Sequence, residues 1–430
     1  LDYTSAGRFE EALAVAELAI VQPVGEQTLL HYYKSWCLIR LGKTAEAQIA
    51  IATAEKEPAD YCFPNALEAI EALQCVVDFA GKAPKALYYL GNLWYDKRRY
   101  PTAIAAWERS SREDETFPTV WRNLSLAYFN KMNRPDEAVA LLEKAFRLDH
   151  TDARVLMELD QLYKRLNRPH IERLCFLEQH IDIVMTRDDL YLEYVTLLNQ
   201  TGQYREAIRR IDQRKFHPWE GGEGKVPAQY QLARLELAKE LINRKKYDDA
   251  LALIDECYIY PTHLGEGKLP GAQENDFNYY KAYILQQQGR PEEAHSLFVK
   301  ACSGNSQPAA AMYYNDQKPD KIFYQGLAYR KLGEEEKARS RFNQLITYGE
   351  EHLFDRFKMD YFAVSLPDLL IWEDDMDKKN RIHCNYLMAL GHLGLGNRTK
   401  AEHFFDIAAS MDNNHQGVQI HRKLMNTILS

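Results

Sequence analysis

A short phrase that recurs along the chain constrains its fold more than any other feature. A Gly or a basic residue leads; two positions later comes an aromatic residue or Pro, then an acidic pair and an Ala. It reads Gly7-Arg-Phe-Glu-Glu-Ala12, Gly42-Lys-Thr-Ala-Glu-Ala47, Arg98-Arg-Tyr-Pro-Thr-Ala103, Asn133-Arg-Pro-Asp-Glu-Ala138 and Gly202-Gln-Tyr-Arg-Glu-Ala207. It continues as Lys245-Lys-Tyr-Asp-Asp-Ala250, Gly289-Arg-Pro-Glu-Glu-Ala294, Gly333-Glu-Glu-Glu-Lys-Ala338 and Gly396-Asn-Arg-Thr-Lys-Ala401, with a degenerate copy at Asn167 to Arg173. Each part has a mechanical meaning. The leading residue ends one helix in a left-handed cap, and the acidic pair opens the next at its positive end. Pro101, Pro135, Pro169 and Pro291 fall where a first helical turn needs no N–H.

The Ala is small because two helices cross there. Seven residues on stands another small residue: Ala19, Ala54, Ser110, Ala145, Cys257, Ala301 or Ala408. Twelve residues before the Ala stand Ser35, Gly91, Ala238, Ala282, Gly326 and Ala389, which let neighbouring helices approach. Cys257 thus occupies a packing slot. The pattern resembles the tetratricopeptide repeat, a helix–turn–helix unit of about 34 residues. Gly91 with Tyr100, Ala103 and Trp107 makes the best copy. The resemblance implies an all-α, right-handed α-solenoid of about nine or ten helix–turn–helix units with inserted loops.

Steps between successive phrase alanines are 35, 56, 35, 69, 43, 44, 44 and 63 residues. They predict one continuous solenoid over 1–430. Regular repeats fill 1–165, with an extra helical insert near 60–82; a degenerate unit and then long repeats fill 166–345. An insert, the last repeat and a capping helix near Val418–Leu429 complete 346–430. The first unit lacks a leading helix, and we expect a fragment of a longer protein.

The most informative local feature is a duplicated loop. Phe216-His-Pro-Trp-Glu-Gly-Gly-Glu-Gly-Lys225-Val-Pro227 returns as Tyr260-Pro-Thr-His-Leu-Gly-Glu-Gly-Lys268-Leu-Pro270, followed by Gly271-Ala-Gln-Glu-Asn275. Gly222 and Gly265 are 43 apart, as are Ala207 and Ala250, so the two loops should stack side by side. Neither is a phosphate loop: Trp219 stands where its first Gly belongs, and Val226 or Leu269 follows the Lys where Ser or Thr is needed. Two readings stay open. The glycines and the Glu–Lys pairs can simply build turns. Alternatively, His217, Trp219, Glu220, Glu223, Lys225, His263, Glu266, Lys268, Gln273, Glu274 and Asn275 can form an anion or polyol site.

These loops carry a closer resemblance, together with Tyr361-Phe-Ala-Val-Ser-Leu-Pro367 and Asn380-Arg-Ile-His383-Cys384. They are similar to one family of large bacterial cytoplasmic proteins in which a galactose-mutarotase-like domain precedes a tetratricopeptide array. The resemblance implies a cytoplasmic scaffold in carbohydrate metabolism beside that domain, and makes the loops candidate functional elements. Its mutarotase-like half has no counterpart here, so no sugar chemistry is carried onto these residues.

The chemistry searched for is otherwise missing. There is no HExxH, no CxxC among the seven cysteines, no GxSxG and no Rossmann glycine run, so no catalytic residue, metal site or cofactor is expected. A net charge of −8 without a basic block argues against nucleic acid, and no apolar run is long enough to span a membrane. The acidic run Glu373, Asp374, Asp375 and Asp377 lacks the glycine and spacing of a calcium loop and reads as a solvated helix start. The leading helices of such repeats line a groove. There Tyr32, Tyr88, Asn92, Tyr95, Arg122, Tyr279, Phe323 and Tyr386 are candidates for contact with a protein or peptide partner, with structural packing equally open. The expected function is a non-catalytic protein-interaction scaffold that engages a separate protein or the protein's own upstream domain. The alternative is a module that contacts carbohydrate and completes that domain's active site.

Overall fold

The computed structural model describes residues 1–21, 27–60, 62–310, 316–356 and 371–425. Its helices end as the phrase dictates. Gly7, Gly42, Arg98, Asn133, Asn167, Gly202, Lys245, Gly289, Gly333 and Gly396 all have positive φ, from 52° to 80°. The residue after each closes the helix end: Lys43 N–H donates to the Leu38 carbonyl at 2.9 Å, beside Gly42 N–H to Ile39 at 3.0 Å. The degenerate copy is capped in the same way, at Asn167 (φ 56°).

The chain forms two compact units, Leu1–Leu159 and Asp160–Ser430. The first contains α1 (Asp2–Ser5), α2 (Phe9–Val21), α3 (Gln27–Arg40), α4 (Thr44–Ala54), α5 (Glu68–Ala80), α6 (Pro84–Asp96), α7 (Tyr100–Glu113), α8 (Pro118–Asn130) and α9 (Pro135–Leu148). The division falls in α10 (Ala153–Arg165). The second unit continues with α11 (His170–Gln179), α12 (Ile181–Val184), α13 (Asp188–Gln200), α14 (Tyr204–Asp212), α15 (Lys225–Asn243) and α16 (Tyr247–Cys257). After a 3₁₀ turn at Thr262–Leu264 come α17 (Asn275–Gln287), α18 (Pro291–Ala301), α19 (Pro319–Lys331) and α20 (Glu335–His352). The last are α21 (Met376–Gly394), α22 (Arg398–Met411) and α23 (Gln416–Leu424). No strand occurs among the described residues, and no helix there is long and apolar enough to cross a membrane.

Antiparallel pairs are the building unit: α3 with α4, α6 with α7, α8 with α9, α15 with α16, α17 with α18, α19 with α20, and α21 with α22. The alanine slots explain the crossings. Ala47, Ala103, Ala138, Ala207, Ala250, Ala338 and Ala401 are fully buried, and so are the second-slot residues Ala54, Ser110, Cys257, Ala301 and Ala408. The leading helices need small residues for the same reason. At Gly91 an added Cβ would sit 2.2 Å from Trp107 Nε1, the group that donates to the Tyr88 carbonyl (3.1 Å) and to Asn92 Oδ1 (3.2 Å). At Gly326 it would meet Phe342 Cε1 at 2.4 Å. The step of 56 residues is filled by α5, which buries Ala69, Ala72, Leu73 and Val76 against α3 and α6.

In the second unit α13 packs on α15, α17 on α19, and α19 on α21, so the leading helices share one inner face. Of the stretch expected to form a capping helix, near Val418–Leu429, residues 426–429 lie outside the described residues; its described part lies in α23, which packs against that inner face. Val418 and Leu424 join a core running from α14 through α22. The apolar stretch Tyr361–Pro367 lies outside the described residues, whereas Trp372 beyond it is fully buried. Of the acidic run, Asp375 caps α21 by accepting from Lys378 N–H at 2.8 Å, and Asp374 pairs with Arg165 at 2.6 Å and with Lys379.

The slots and caps give opposite expectations on substitution. Gly91→Ala should lower unfolding free energy by about 1–3 kcal/mol through overpacking against Trp107. Lys245→Gly, at an exposed left-handed cap, should raise it by about 0.5–1 kcal/mol, since an L side chain there is strained. Urea denaturation followed by circular dichroism reads both.

Candidate functional site

The groove candidates of the first unit are packed and partnered. Tyr32 is fully buried; its Oη donates to Glu55 Oε1 at 2.8 Å, and Glu55 also accepts the Lys85 and Ala86 N–H groups at the start of α6. Tyr88 is buried edge-on against Tyr89 and Phe117. Asn92 accepts from Trp107 and, at 3.0 Å, from Asn123 Nδ2. Tyr95 meets the Tyr100 ring edge-on and the Trp107 ring at a tilt. Arg122 makes a two-pronged pair with the buried Glu158, both contacts 2.6 Å, so its guanidinium already has its carboxylate.

Tyr279, Phe323 and Tyr386 in the second unit are 3%, 1% and 4% exposed. Their rings present no accessible face, for two different reasons. Tyr279 is wedged between Tyr280, Phe298 and Tyr324. Phe323 and Tyr386 face inward as the repeat position implies, but His421 of α23 covers both, with ring centroids at 5.6 and 5.8 Å.

The duplicated loops lie side by side. Phe216 N–H donates to the His263 carbonyl at 2.8 Å, and Gly224 N–H donates to Glu266 Oε2 at 2.7 Å. Several loop candidates tie the turns. Lys268 reaches Glu274 and the Tyr258 carbonyl. Gln273 spans to Asp316 and Lys318 of the next repeat. Asn275 is buried and donates to the Ala301 and Ser303 carbonyls at 2.9 and 2.8 Å. His263 is half-buried with its ring edge toward Tyr230.

The remaining candidates form a surface cleft of about 260 Å³ lined by His217, Trp219, Glu220, Glu223 and Glu266, with Pro218, Val226 and Leu264 as its apolar wall. Trp219 folds over Gly222, where a Cβ would fall 2.3 Å from the indole. Asp188 fixes one edge: it accepts His217 N–H at 2.9 Å and is itself gripped by Arg214. Burial pushes the Glu266 carboxyl above its usual range, Gly224 N–H opposes this, and Glu223 adds to it. Lys225 opens α15 outside the cleft's lining, and burial, with Lys164, draws its ammonium below the usual lysine range. The site therefore offers an aromatic plate and carboxylates on two repeats joined by loop-to-loop hydrogen bonds.

His383 and Cys384 turn to different partners, the Ala309 carbonyl (2.7 Å from Nε2) and Asn380 Oδ1 (3.4 Å from Sγ), and make no dyad. Burial lowers the His383 imidazole to about 4 and raises the Cys384 thiol to about 11.

Sequence reasoning missed the polar seat of the chain's last segment. Arg173, fully buried, pairs with Asp160 (Nη2–Oδ2 2.7 Å) and Glu193 (2.7 Å) and donates to Asn414 Oδ1 at 2.7 Å. Burial alone would raise the Glu193 pKa, but Lys164 and Arg173 hold it down at about 2. Gln229 and Gln416 exchange amide hydrogen bonds of 2.8 and 3.1 Å. The one available signal was the run Asn413-Asn414-His415-Gln416 after the last repeat, whose amides suit pairing more than solvation.

Two stretches match family models of the tetratricopeptide repeat, 63–118 and 322–348. They cover α5 to α7 and α19 to α20, and the chain thus carries tetratricopeptide repeats in an all-helical, α-solenoid arrangement. Similar solved structures include a tetratricopeptide repeat protein from Parabacteroides merdae (16% identity, 70% of this chain and 99% of that one, TM-score 0.27). MamA shares 16% identity over 43% of this chain and 94% of its own (TM-score 0.27). A human IFIT1 dimer shares 13% over 95% and 88% (TM-score 0.29).

Acid should loosen the seat of α23. Burial lowers the His421 imidazole to about 4, helped by Lys239 and opposed by Asp320, the Gly417 carbonyl and Asp276. The folded chain keeps His421 neutral where the unfolded chain protonates it. Its contribution is therefore complete above about pH 6.5 and is lost as pH falls toward 4, worth roughly 3 kcal/mol at most. His421→Gln should flatten the stability–pH curve over that window relative to the native chain, measured by urea denaturation.

Proposed function

We propose that this chain is a non-catalytic protein-interaction scaffold whose partner contacts centre on the paired loops 216–227 and 260–275. The observation that carries this reading is the cleft around Trp219. It is an aromatic plate with carboxylates, open to solvent and held on two repeats whose loops hydrogen-bond to each other. Aromatic residues on a rigid base supply contact area at low entropic cost, the usual anchor of a protein interface. On the resemblance of these loops, the scaffold works beside a mutarotase-like domain in bacterial carbohydrate metabolism in the cytoplasm, and its partner is a separate protein or that domain.

A second reading has its own support in the same cleft. Trp219 with Glu220, Glu223 and Glu266 is also the chemistry that holds a sugar ring, by stacking plus hydroxyl-to-carboxylate hydrogen bonds. In that case the loops contact carbohydrate and complete the upstream domain's site.

Trp219→Ala separates the readings. Crosslinking of the native chain in cell lysate, quantified by mass spectrometry, should show specific protein partners that fall at least tenfold with Trp219→Ala, circular dichroism being unchanged. Equal capture by the folded variant would sink the loop-centred scaffold. A sugar-dependent fluorescence change in the native chain that Trp219→Phe abolishes would favour the carbohydrate reading.

A further inference from the structure

The loop duplication distributes charge unevenly. Each copy carries Gly-Glu-Gly-Lys, with Glu223 and Lys225 in the first and Glu266 and Lys268 in the second. The two glutamates come together in one cleft, where Glu220 joins them, whereas neither lysine lines it. Lys268 turns to Glu274 and the Tyr258 carbonyl. Lys225 is influenced more by Lys164 and Glu193 than by Glu223, and it forms no ion pair with the three carboxylates. Acids around the loops but outside the cleft do have cations: Asp188 pairs with Arg214 at 2.6 Å and Asp212 with Arg234 at 2.7 Å. Glu220, Glu223 and Glu266 make no ion pair among the described residues. Their loop hydrogen bonds come from main chain, Gly221 N–H to Glu223 at 3.2 Å and Gly224 N–H to Glu266, which leaves the charge itself unmatched.

Trp219 stands in the first copy only; its counterpart 43 residues on is Thr262. Gly222 makes room for the half-buried indole, since a Cβ there would lie 2.3 Å from Trp219 Cε2. An indole beside unpaired carboxylates attracts a cation twice over, through the ring quadrupole and through charge-assisted hydrogen bonds. A guanidinium suits both at once. It is flat and stacks on the ring, while its fork of N–H groups reaches carboxylates at the ring's edge; a compact, strongly hydrated ammonium matches this less well. The cleft's volume of about 260 Å³ falls just below the range of pockets that enclose a whole small molecule, about 300–1,000 Å³, and suits one side chain of a longer ligand. Pro218, Val226 and Leu264 offer apolar wall for the methylene stem of such a side chain.

We propose that the Trp219 cleft is a receptor for a single arginine side chain of a partner protein, its guanidinium stacked on Trp219 and hydrogen-bonded to Glu223 and Glu266. The inference rests on the loop-centred reading above and adds to it the residue that the partner presents. The duplication is then functional: each copy contributes its glutamate to one clamp, and the hydrogen bonds from Phe216 to His263 and from Gly224 to Glu266 set the gap between them.

The test uses the full chain and capped peptides Gly-Ser-X-Ser-Gly in which X is arginine, lysine or citrulline, the last keeping arginine's shape without its charge. Binding is read from the indole N–H resonance of Trp219, assigned by its loss in Trp219→Phe. The arginine peptide should bind about tenfold more tightly than the citrulline peptide. Glu223→Gln and Glu266→Gln should each weaken it by a similar factor, and Lys225→Gln should not weaken it. Gly222→Ala, which displaces the indole without changing any charge, should also weaken it about tenfold. The proposal is overturned if the arginine peptide fails to bind, if citrulline or lysine binds equally well, or if both glutamine variants bind as the native chain does. A Trp219 response to calcium alone or to a sugar alone overturns it in favour of a metal or a carbohydrate. The two readings fail separately. Partner capture that depends on Trp219 without any preference for arginine keeps the scaffold and removes the arginine. A preference for arginine with capture indifferent to Trp219→Ala removes the loop-centred scaffold and keeps the cleft's ligand.

Discussion

Everything in this chain depends on helices that must end abruptly and cross closely. A residue at positive φ stops one helix, and a buried Ala five residues later lets the next helix cross its predecessor. Neither device suffices alone. Without the cap the pair cannot reverse direction, and with a larger residue in the slot the helices cannot come within reach of each other's side chains. That four of the ten caps are Arg98, Asn133, Asn167 and Lys245 shows the geometry imposed by packing overriding the local preference for glycine.

Once the pairs are stacked, leading helices share a face, and a polar aromatic surface is created there whether or not anything binds it. In the second unit it is covered by α23, whose His421 meets Phe323 and Tyr386, while Asn414 just ahead of α23 meets Arg173. The open cleft lies instead on the loops of the long repeats. There Glu266 and the His263 carbonyl lock one loop to the next, and Trp219 is displayed beside carboxylates. The same repeat architecture thus presents one face that is filled and one edge that is open.

The repeats were legible because they are set by local rules: every leading residue of the phrase, even the degenerate Asn167, adopts the cap it implies. The stacking of the two loops was legible from their 43-residue spacing for the same reason. The division into two compact units and the burial of Tyr279, Phe323 and Tyr386 were not. A residue's position on a helix tells which way it points, but not which distant segment arrives to meet it. The partners of the segment 413–424 lie up to 250 residues away, and polar pairs such as Gln229–Gln416 leave no period in the sequence. Of the loop candidates, composition could not separate Asn275, which ties a turn from inside, from Trp219, which faces a cleft.

The most direct test of this account is hydrogen–deuterium exchange across residues 412–424, in the native chain and in Asn167→Ala. If the inner face holds the segment through side-chain amides such as that of Asn167, which bonds the Met411 carbonyl and the Asn413 N–H, its amides are protected in the native chain. Asn167→Ala then strips that protection while leaving α15 to α18 unchanged. Fast exchange of 412–424 in the native chain, or protection indifferent to Asn167→Ala, would contradict it.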